Sequence, residues 1–336
     1  MKLIFVILLS TIFAQDAISQ LEFVEPEEVG LSSSRLSKVK EFVQRDIDAG
    51  KLAGAVTLIS RYGKVVYFDA VGTYGLDDKR LMKKNSLFRI YSMTKPVTSV
   101  AIMMLYEEGL FQLEDPVSKY LKEFANQKIL REGKLVAPLS PMTIEQLMTH
   151  TAGLTYGWES DHPAELAYQK AKLDESKSTD DFINRLANLP LRFEPGTRYH
   201  YSVATDVLGA LVEKLSGMSL EKFFSDRLFK PLGMNDTFFN VPLEKMDRLT
   251  INHYWDAERK LMAVIPDTYN RPVRDLTVFS GGAGLVSTAM DYLIFCEMVR
   301  QGGTYNGERI LSPKTVEYML INHLTDSIRN NGSDEY

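Results

Sequence analysis

Two residues able to carry out nucleophilic chemistry, Ser92 and Lys95, stand three positions apart in the sequence. On a helix, residues at positions i and i+3 are neighbours on one face, so the Lys95 amine would lie beside the Ser92 hydroxyl and could take its proton. Pro96 is tolerated only near a helix start, where its missing N–H costs least, and it therefore places Ser92 at a helix N-terminus. The spacing predicts a serine nucleophile with an adjacent base.

An apolar stripe predicts how this helix is oriented. Five residues recur with the helical period and share one face: Met93, Val97, Val100, Ala101 and Met104. The same helical wheel puts Ser92 and Lys95 on the opposite face. We therefore expect the stripe to face the core and the two reactive side chains to face a cleft. A serine that only caps a solvated first turn is the alternative interpretation of this tetrad.

A third candidate group, Tyr201, follows a Glu-Pro-Gly-Thr turn signal at 194–197 and precedes a strong helical pattern that Gly217 ends. Tyr201 would thus lie at the entrance of this helix, with Ser202 as its N-cap. Taken alone, Tyr201 is typical of an aromatic side chain packed beneath a loop. The local pattern by itself leaves its role open.

These elements resemble, in the same order along the chain, the motifs of the serine β-lactamase, penicillin-binding protein and family VIII esterase superfamily. The resemblance is strongest to the class C-like esterase branch. It covers the segments 50–56, 92–95, 113–117, 149–154, 201–209, 231–234, 280–285 and 309–313. It implies that Ser92 is the nucleophile, Lys95 the helix lysine and Tyr201 the tyrosine of the second motif.

The resemblance also implies an α/β (α+β) architecture of the β-lactamase/transpeptidase type. An antiparallel sheet flanked by helices is built from both ends of the chain, an all-helical domain is inserted, and the active site lies at their junction. We expect the sheet-containing domain at 20–90 and 276–336 and the helical domain, with the catalytic helix, at 91–275. Local patterns predict a helix at 32–49, strands at 55–60 and 65–71 joined by a turn, and a helix at 287–300.

Two departures from the family pattern bear on activity. Val203 stands where the β-lactamase branch has an asparagine that contacts the substrate's amide, and an apolar side chain makes no such hydrogen bond. The third motif, a Lys, His or Trp followed by a small residue and Gly, is absent from the sequence. In relatives that motif follows the segment matching 311–313, and this sequence ends at Tyr336. We therefore expect a C-terminal truncation relative to the family.

Together these features predict a serine hydrolase that cleaves carboxylic esters, or amides, through an acyl-enzyme, with esters preferred over β-lactams. Its substrate would be a small ester, amide or peptidoglycan-like molecule, and no cofactor is expected. A β-lactamase or D-Ala-D-Ala carboxypeptidase would use the same residues and stays an alternative. A catalytically inactive binding protein related to penicillin-binding proteins is another, supported mainly by the absent third motif. Acyl transfer to an alcohol is a further alternative.

Composition bears on several other functions. The net charge of −5 and the lack of a Lys/Arg cluster argue against nucleic acid as a partner. The five histidines show no metal-ligand spacing, so no metal site is expected. The single cysteine, Cys296, excludes an internal disulfide and is expected to be a small core residue within its helix.

The segment 155–179 begins with Tyr156 and Trp158; it could line an acyl pocket, although a solvated connection fits it better.

The N-terminus predicts export. Lys2 precedes an apolar run at 3–14, and Ala17 and Ser19 place small residues at the −3 and −1 positions of a cleavage after Ser19. The run is too short to span a bilayer, for which ~20 apolar residues are needed, and no cysteine follows that would make a lipoprotein. We therefore expect a cleaved signal peptide at 1–19 and a secreted or periplasmic protein without a transmembrane anchor. The sequence gives no indication of the oligomeric state.

Overall fold

A computed structural model describes residues 21–131, 133–159, 162–266 and 270–330, so the predicted signal peptide lies outside the described residues. The helices are α1 (Ser33–Asp48), α2 (Thr94–Glu107), α3 (Ile144–Met148), α4 (Pro163–Ala171), α5 (Thr179–Ala187), α6 (Ala204–Ser216), α7 (Leu220–Phe224), α8 (Lys230–Leu232), α9 (Ala289–Arg300), α10 (Pro313–Leu320) and α11 (Asp326–Asn330). The strands are β1 (Glu22–Phe23), β2 (Gly54–Arg61), β3 (Lys64–Gly72), β4 (Phe88–Arg89), β5 (Ile129–Arg131), β6 (Lys134–Val136), β7 (His253–Asp256), β8 (Leu261–Val264), β9 (Val286–Ser287), β10 (Thr304–Tyr305) and β11 (Glu308–Arg309).

The predicted hairpin forms the body of a three-stranded sheet in the order β1-β3-β2. β2 and β3 pair antiparallel, with Gly54 opposite Gly72. Their connection turns at Tyr62 and Gly63, both with positive φ, as a two-residue type I′ hairpin turn requires. The short β1 adds to the other side of β3 in parallel, a pairing that the sequence did not indicate. α1 packs on β3 and α9 on β2, so helices flank the sheet.

The helix predicted at 32–49 is α1, capped at Ser32 and followed by the left-handed Gly50. α1 packs on β3, and four apolar side chains spaced along it are only partly buried: Leu36, Val39, Val43 and Ile47. α1 therefore forms a shallow outer layer of the molecule.

α2 lies at the centre of the main hydrophobic core and packs most extensively against α6. Val97, Val100, Ala101 and Met104 of the predicted stripe are buried. The expectation for Met93 was wrong, because this residue lies in the turn that precedes α2 and is 47% exposed. The prediction that only one face of the helix is buried was also wrong. Ile102, Met103 and Leu105 lie outside the predicted stripe and are buried as well. The helix that follows Ser92 is thus enclosed by packing on nearly all sides.

α6 ends at the left-handed Gly217, as predicted. The expected N-cap was wrong by one residue, since Val203 occupies the N-cap position. The Ser202 hydroxyl instead shares a 3.2 Å hydrogen bond with Nδ1 of His150. That contact ties the start of α6 to the turn after α3.

The last part of the chain returns to the sheet region. β9 pairs antiparallel with β4, just ahead of Ser92, and leads into α9, which is capped by Thr288. The expectation that Cys296 is a core residue was wrong: its side chain is exposed. The buried positions of α9 include Leu293, Phe295 and Met298, whereas Cys296 is exposed.

Two hairpins that the sequence patterns did not reveal interrupt the mainly helical region, β5–β6 and β7–β8. Their strands are only three or four residues long, which is too short for a clear period-two pattern. Among the described residues, no helix has both the length and the apolar composition needed to cross a membrane.

Candidate active site

Ser92 lies in a single 3-10 turn, Tyr91–Met93, that runs directly into α2. This position agrees with the prediction that Ser92 lies at a helix N-terminus. Tyr91 adopts a positive φ of 43°, an unfavourable conformation for a tyrosine, and its hydroxyl accepts a hydrogen bond from Nδ2 of Asn252. The Met93 carbonyl accepts another from the Tyr292 hydroxyl, 3.0 Å away. The turn that presents Ser92 is thus held from both sides.

The structure brings the three predicted site residues together. Nζ of Lys95, in the first turn of α2, lies 3.2 Å from Oγ of Ser92. The Tyr201 hydroxyl, 109 positions further along the chain, donates to the same oxygen at 2.7 Å. Ser92 is exposed, whereas Lys95 is only 9% exposed. The serine hydroxyl therefore faces solvent while the two groups able to exchange its proton lie behind it.

Lys95 is held by neutral groups. Its amine donates to the Gly282 carbonyl at 2.8 Å. It also lies 4.5 Å from the ring centre of Tyr201 and 5.4 Å from that of Tyr156. A buried ammonium needs such partners, since it has left the water that would otherwise solvate it. These contacts fix the amine beside Ser92.

The loop that supplies the Gly282 carbonyl is anchored between α2 and α6. Asp206 accepts hydrogen bonds from the Ser280 hydroxyl at 2.5 Å and from the Gly282 N–H at 3.1 Å. Thr98 donates to the Gly281 carbonyl at 2.7 Å. A Cβ at Gly282 would lie 2.5 Å from Oδ2 of Asp206, so a larger residue would have to displace this carboxylate. The sequence identifies this glycine-rich segment by its resemblance to a family motif, whereas the contact with Asp206 and the role of the loop were not predicted.

His150 lines the far side of Tyr201, with ring centres 4.9 Å apart. Its Nδ1 accepts the Ser202 backbone N–H at 3.2 Å. Burial, the charge of Lys95 and the neighbouring His200 lower the pKa of His150 to about 4. The imidazole is therefore neutral near pH 7, and it accepts a hydrogen bond from Ser202 while its ring lies against that of Tyr201.

With this geometry in place, the comparisons with known proteins identify the class. The fold is that of the serine-hydrolase-type β-lactamase superfamily. The family model described as Beta-lactamase matches residues 39–333, and the chain belongs to this family. The resemblance drawn from the sequence is confirmed.

Two curated relatives show how far the similarity extends. Protein Rv1367c of Mycobacterium tuberculosis is 37% identical over 287 residues, which cover 83% of this chain and 70% of that protein. Esterase EstB of Burkholderia gladioli is 33% identical over 270 residues, covering 74% of this chain and 66% of that protein. Each similarity thus spans most of the present sequence.

A solved structure confirms the predicted fold class. EstCE1, described as a hydrolase with promiscuous acyltransferase activity, superposes with a TM-score of 0.72 at 31% identity. The match covers 84% of this chain and 76% of EstCE1. The chain therefore has the α/β fold of the β-lactamase/transpeptidase type.

Proposed function

We propose that this protein is a serine hydrolase that cleaves carboxylic esters through an acyl-enzyme, with Ser92 as nucleophile and Lys95 and Tyr201 as the proton-transfer pair. The observation that carries the proposal is the convergence of the Lys95 amine and the Tyr201 hydroxyl on the Ser92 oxygen, at 3.2 and 2.7 Å. A nucleophile in hydrogen-bond contact with a base that other groups orient is the signature of covalent catalysis.

The reaction follows from these contacts. Ser92 Oγ attacks the ester carbonyl carbon, and its proton passes to the Lys95–Tyr201 pair, one member of which starts deprotonated, as the neutral amine or the phenolate. The bond to the leaving oxygen then breaks, and the departing alcohol takes up that proton. Water attacks the acyl group on Ser92, giving its proton to the same pair, and the proton returns to Oγ as the carboxylic acid leaves. The pair thus acts as base and as acid in each half of the cycle.

Esters are the proposed substrates, in preference to β-lactams or peptides. Val203 is 5% exposed and belongs to the hydrophobic core, so this position offers no amide-contacting group to the cleft. The relative EstB supports the same choice, since it is named an esterase. The formed contacts around Ser92 also favour an enzyme over an inactive binding protein.

Replacement of Ser92 tests the proposal. Ser92→Ala should lower kcat/KM for p-nitrophenyl acetate by at least about 1,000-fold, because no nucleophile remains. Ser99, a partly buried serine of α2, supplies the matched control: Ser99→Ala should stay close to wild type. Circular dichroism verifies that both variants fold. Hydrolysis that survives in Ser92→Ala, or turnover of nitrocefin faster than of the ester by the wild type, would contradict the proposal.

The cellular location is proposed on the N-terminal pattern alone. We infer that residues 1–19 form a signal peptide and that the mature protein acts outside the cytoplasm. N-terminal sequencing of the protein from its natural source tests this, with Gln20 as the expected first residue.

We also propose the expected domain boundaries, with a sheet-containing domain at 20–90 and 276–336 and a helical domain at 91–275. Limited proteolysis can test them.

A further inference from the structure

Two aromatic side chains form an open surface next to the candidate site. The rings of Tyr156 and Trp158 stack with centres 4.4 Å apart and planes 9° from parallel. Trp158 is nevertheless 63% exposed. Single exposed apolar side chains are common in proteins, so exposure alone indicates no function. The position of this pair beside the candidate site and its fixed backbone are what indicate a role in binding.

The pair lies directly beside the reactive groups. The Tyr201 ring, whose hydroxyl contacts Ser92, has its centre 5.6 Å from Tyr156 and 6.1 Å from Trp158. On the other side of Tyr156, Nζ of Lys95 lies 5.4 Å from the ring centre. The three aromatic rings therefore form one compact cluster beside the Ser92 hydroxyl, and the indole is its exposed member.

The backbone between the two aromatics is fixed in one conformation. Gly157 has a φ of 81°, and a Cβ there would lie 2.9 Å from the Gln169 backbone nitrogen. Its N–H donates to the Thr155 hydroxyl at 3.2 Å. This turn places the side chains before and after the glycine on the same side, where they stack. An alanine at this position would be both strained and obstructed.

A buried ion pair ties down both ends of the segment. The Glu165 carboxylate, 1% exposed, accepts from the Thr155 hydroxyl at 2.5 Å and from the Arg192 guanidinium at 2.6 Å. Arg192 also pairs with Glu159 at 2.7 Å, on the far side of Trp158. Buried charges that satisfy each other in this way resist separation. The indole is thus held in place before any ligand binds, which lowers the entropy cost of binding on it.

We propose that Tyr156 and Trp158 form a preorganised platform that binds a planar apolar ring of the substrate, and that the protein prefers esters carrying an aryl group. The inference rests on the proposed ester hydrolysis. A flat ring laid on the indole gains the offset or edge-to-face contacts that aromatic pairs prefer at 4.5–7 Å. A saturated ring of the same size covers a similar area without these contacts. The aryl group can belong to either the acyl or the alcohol part of the ester.

Matched ester pairs separate stacking from simple apolar contact. Methyl phenylacetate and methyl cyclohexylacetate differ only in the acyl ring; benzyl acetate and cyclohexylmethyl acetate differ only in the alcohol ring. Trp158→Leu should lower the phenyl-to-cyclohexyl ratio of kcat/KM by about 3- to 10-fold, the size of an aromatic pair contribution, while Trp158→Phe should largely retain it. The pair whose ratio falls identifies the part of the ester that carries the ring.

Trp255, the second tryptophan, provides the control. It is 47% exposed on the β7–β8 hairpin, so Trp255→Leu removes an exposed indole without touching the platform, and the ratios should stay at the wild-type value. Unchanged ratios in Trp158→Leu, or equal changes in Trp255→Leu, would overturn the platform. Absence of any Ser92-dependent ester hydrolysis would instead overturn the proposed function.

A binding measurement keeps the platform testable without catalysis. In a Ser92→Ala, Trp255→Phe variant the fluorescence of Trp158 reports on the platform alone. Titration with methyl phenylacetate should change the indole emission and saturate, at a concentration at least about threefold lower than methyl cyclohexylacetate requires. Equal half-saturation concentrations, or no saturable change with either ester, would overturn the proposal.

Discussion

Two helices of similar length, α2 and α1, have opposite environments. Ten of the 14 residues of α2 are buried, whereas none of the 16 residues of α1, all of them described, is buried. α2 carries Lys95 and follows directly on Ser92, and α1 covers the sheet as an outer layer. Lys95 and the turn that holds Ser92 thus belong to, or lead directly into, a helix that is buried along most of its length. Close packing around α2, rather than the sheet, fixes the geometry of the site.

The largest expected effect is the loss of ester hydrolysis when Lys95 or Tyr201 is replaced. Lys95→Ala and Tyr201→Phe should each lower kcat/KM for p-nitrophenyl acetate by roughly 100- to 10,000-fold, because each removes one member of the proton-transfer pair. The double variant should lose little more than either single variant, since groups acting in one step are strongly non-additive.

Lys40 of α1, which pairs with Asp69 at 3.3 Å on the surface, provides the matched lysine control. Lys40→Ala should leave the ester kinetics at the wild-type level. If Tyr201→Phe kept near wild-type turnover, Tyr201 would be a packing residue and the proposed pair would be reduced to Lys95.

The second prediction compares the same truncation in the two helices. Leu105 of α2 is 1% exposed, whereas Leu36 of α1 is only partly buried. Leu105→Ala should lower the free energy of unfolding by about 2–5 kcal/mol through lost burial and the cavity it leaves. Leu36→Ala should cost about 1 kcal/mol or less, since its site is already partly hydrated. Urea denaturation measures both, and equal losses would show that α1 is as integral to the fold as α2.

The third prediction uses the pH dependence of stability. The pKa of His150 is lowered to about 4 from an ordinary 6.5 by burial, the charge of Lys95 and His200. Between these values the unfolded chain binds a proton that the folded protein does not, so stability falls as the pH drops from 6.5 to 4. The loss amounts to about 3 kcal/mol. His150→Asn should remove this loss.

Asp291 titrates in the opposite sense. Burial raises its pKa to about 6, so between pH 6 and 3.8 the folded state binds the extra proton and stability rises as the pH falls. Because Asp291 is present in both proteins, its contribution cancels in the difference between wild type and His150→Asn. Unfolding curves measured at pH 7 and pH 4.5 give that difference, and a pH-independent difference would show that His150 is not protonated on unfolding.

The parts of the site that sequence alone could predict are those set by local geometry or by a family motif. Ser92 and Lys95 meet because a spacing of three brings side chains together in any helical turn. Tyr201 lies 109 positions away, and its contact with Ser92 could be expected only from the family resemblance. The hairpin of β2 and β3 and the end of α6 followed from turn chemistry and glycine.

The errors and omissions lie where tertiary packing decides. Asp206 and Gly282 are in contact because a loop packs against α6. Neither the residue types nor their spacing in the sequence indicates that contact. The periodicity of α2 suggested one buried face because the pattern does not show how many neighbours surround a helix. Met93 and Cys296 are exposed for the same kind of reason: an apolar side chain in a helical pattern reveals its face only when the packing partner is known.

The central claim is that Ser92 becomes acylated during turnover, and mass spectrometry tests this most directly. The wild-type protein is mixed with p-nitrophenyl butyrate, quenched in acid within the first turnovers, digested and analysed for a butyryl adduct. We expect a butyryl adduct on the Ser92 oxygen in the wild type and no adduct in Ser92→Ala. An adduct on another residue would contradict this prediction. So would a Ser92→Ala variant that hydrolyses the ester as fast as the wild type does.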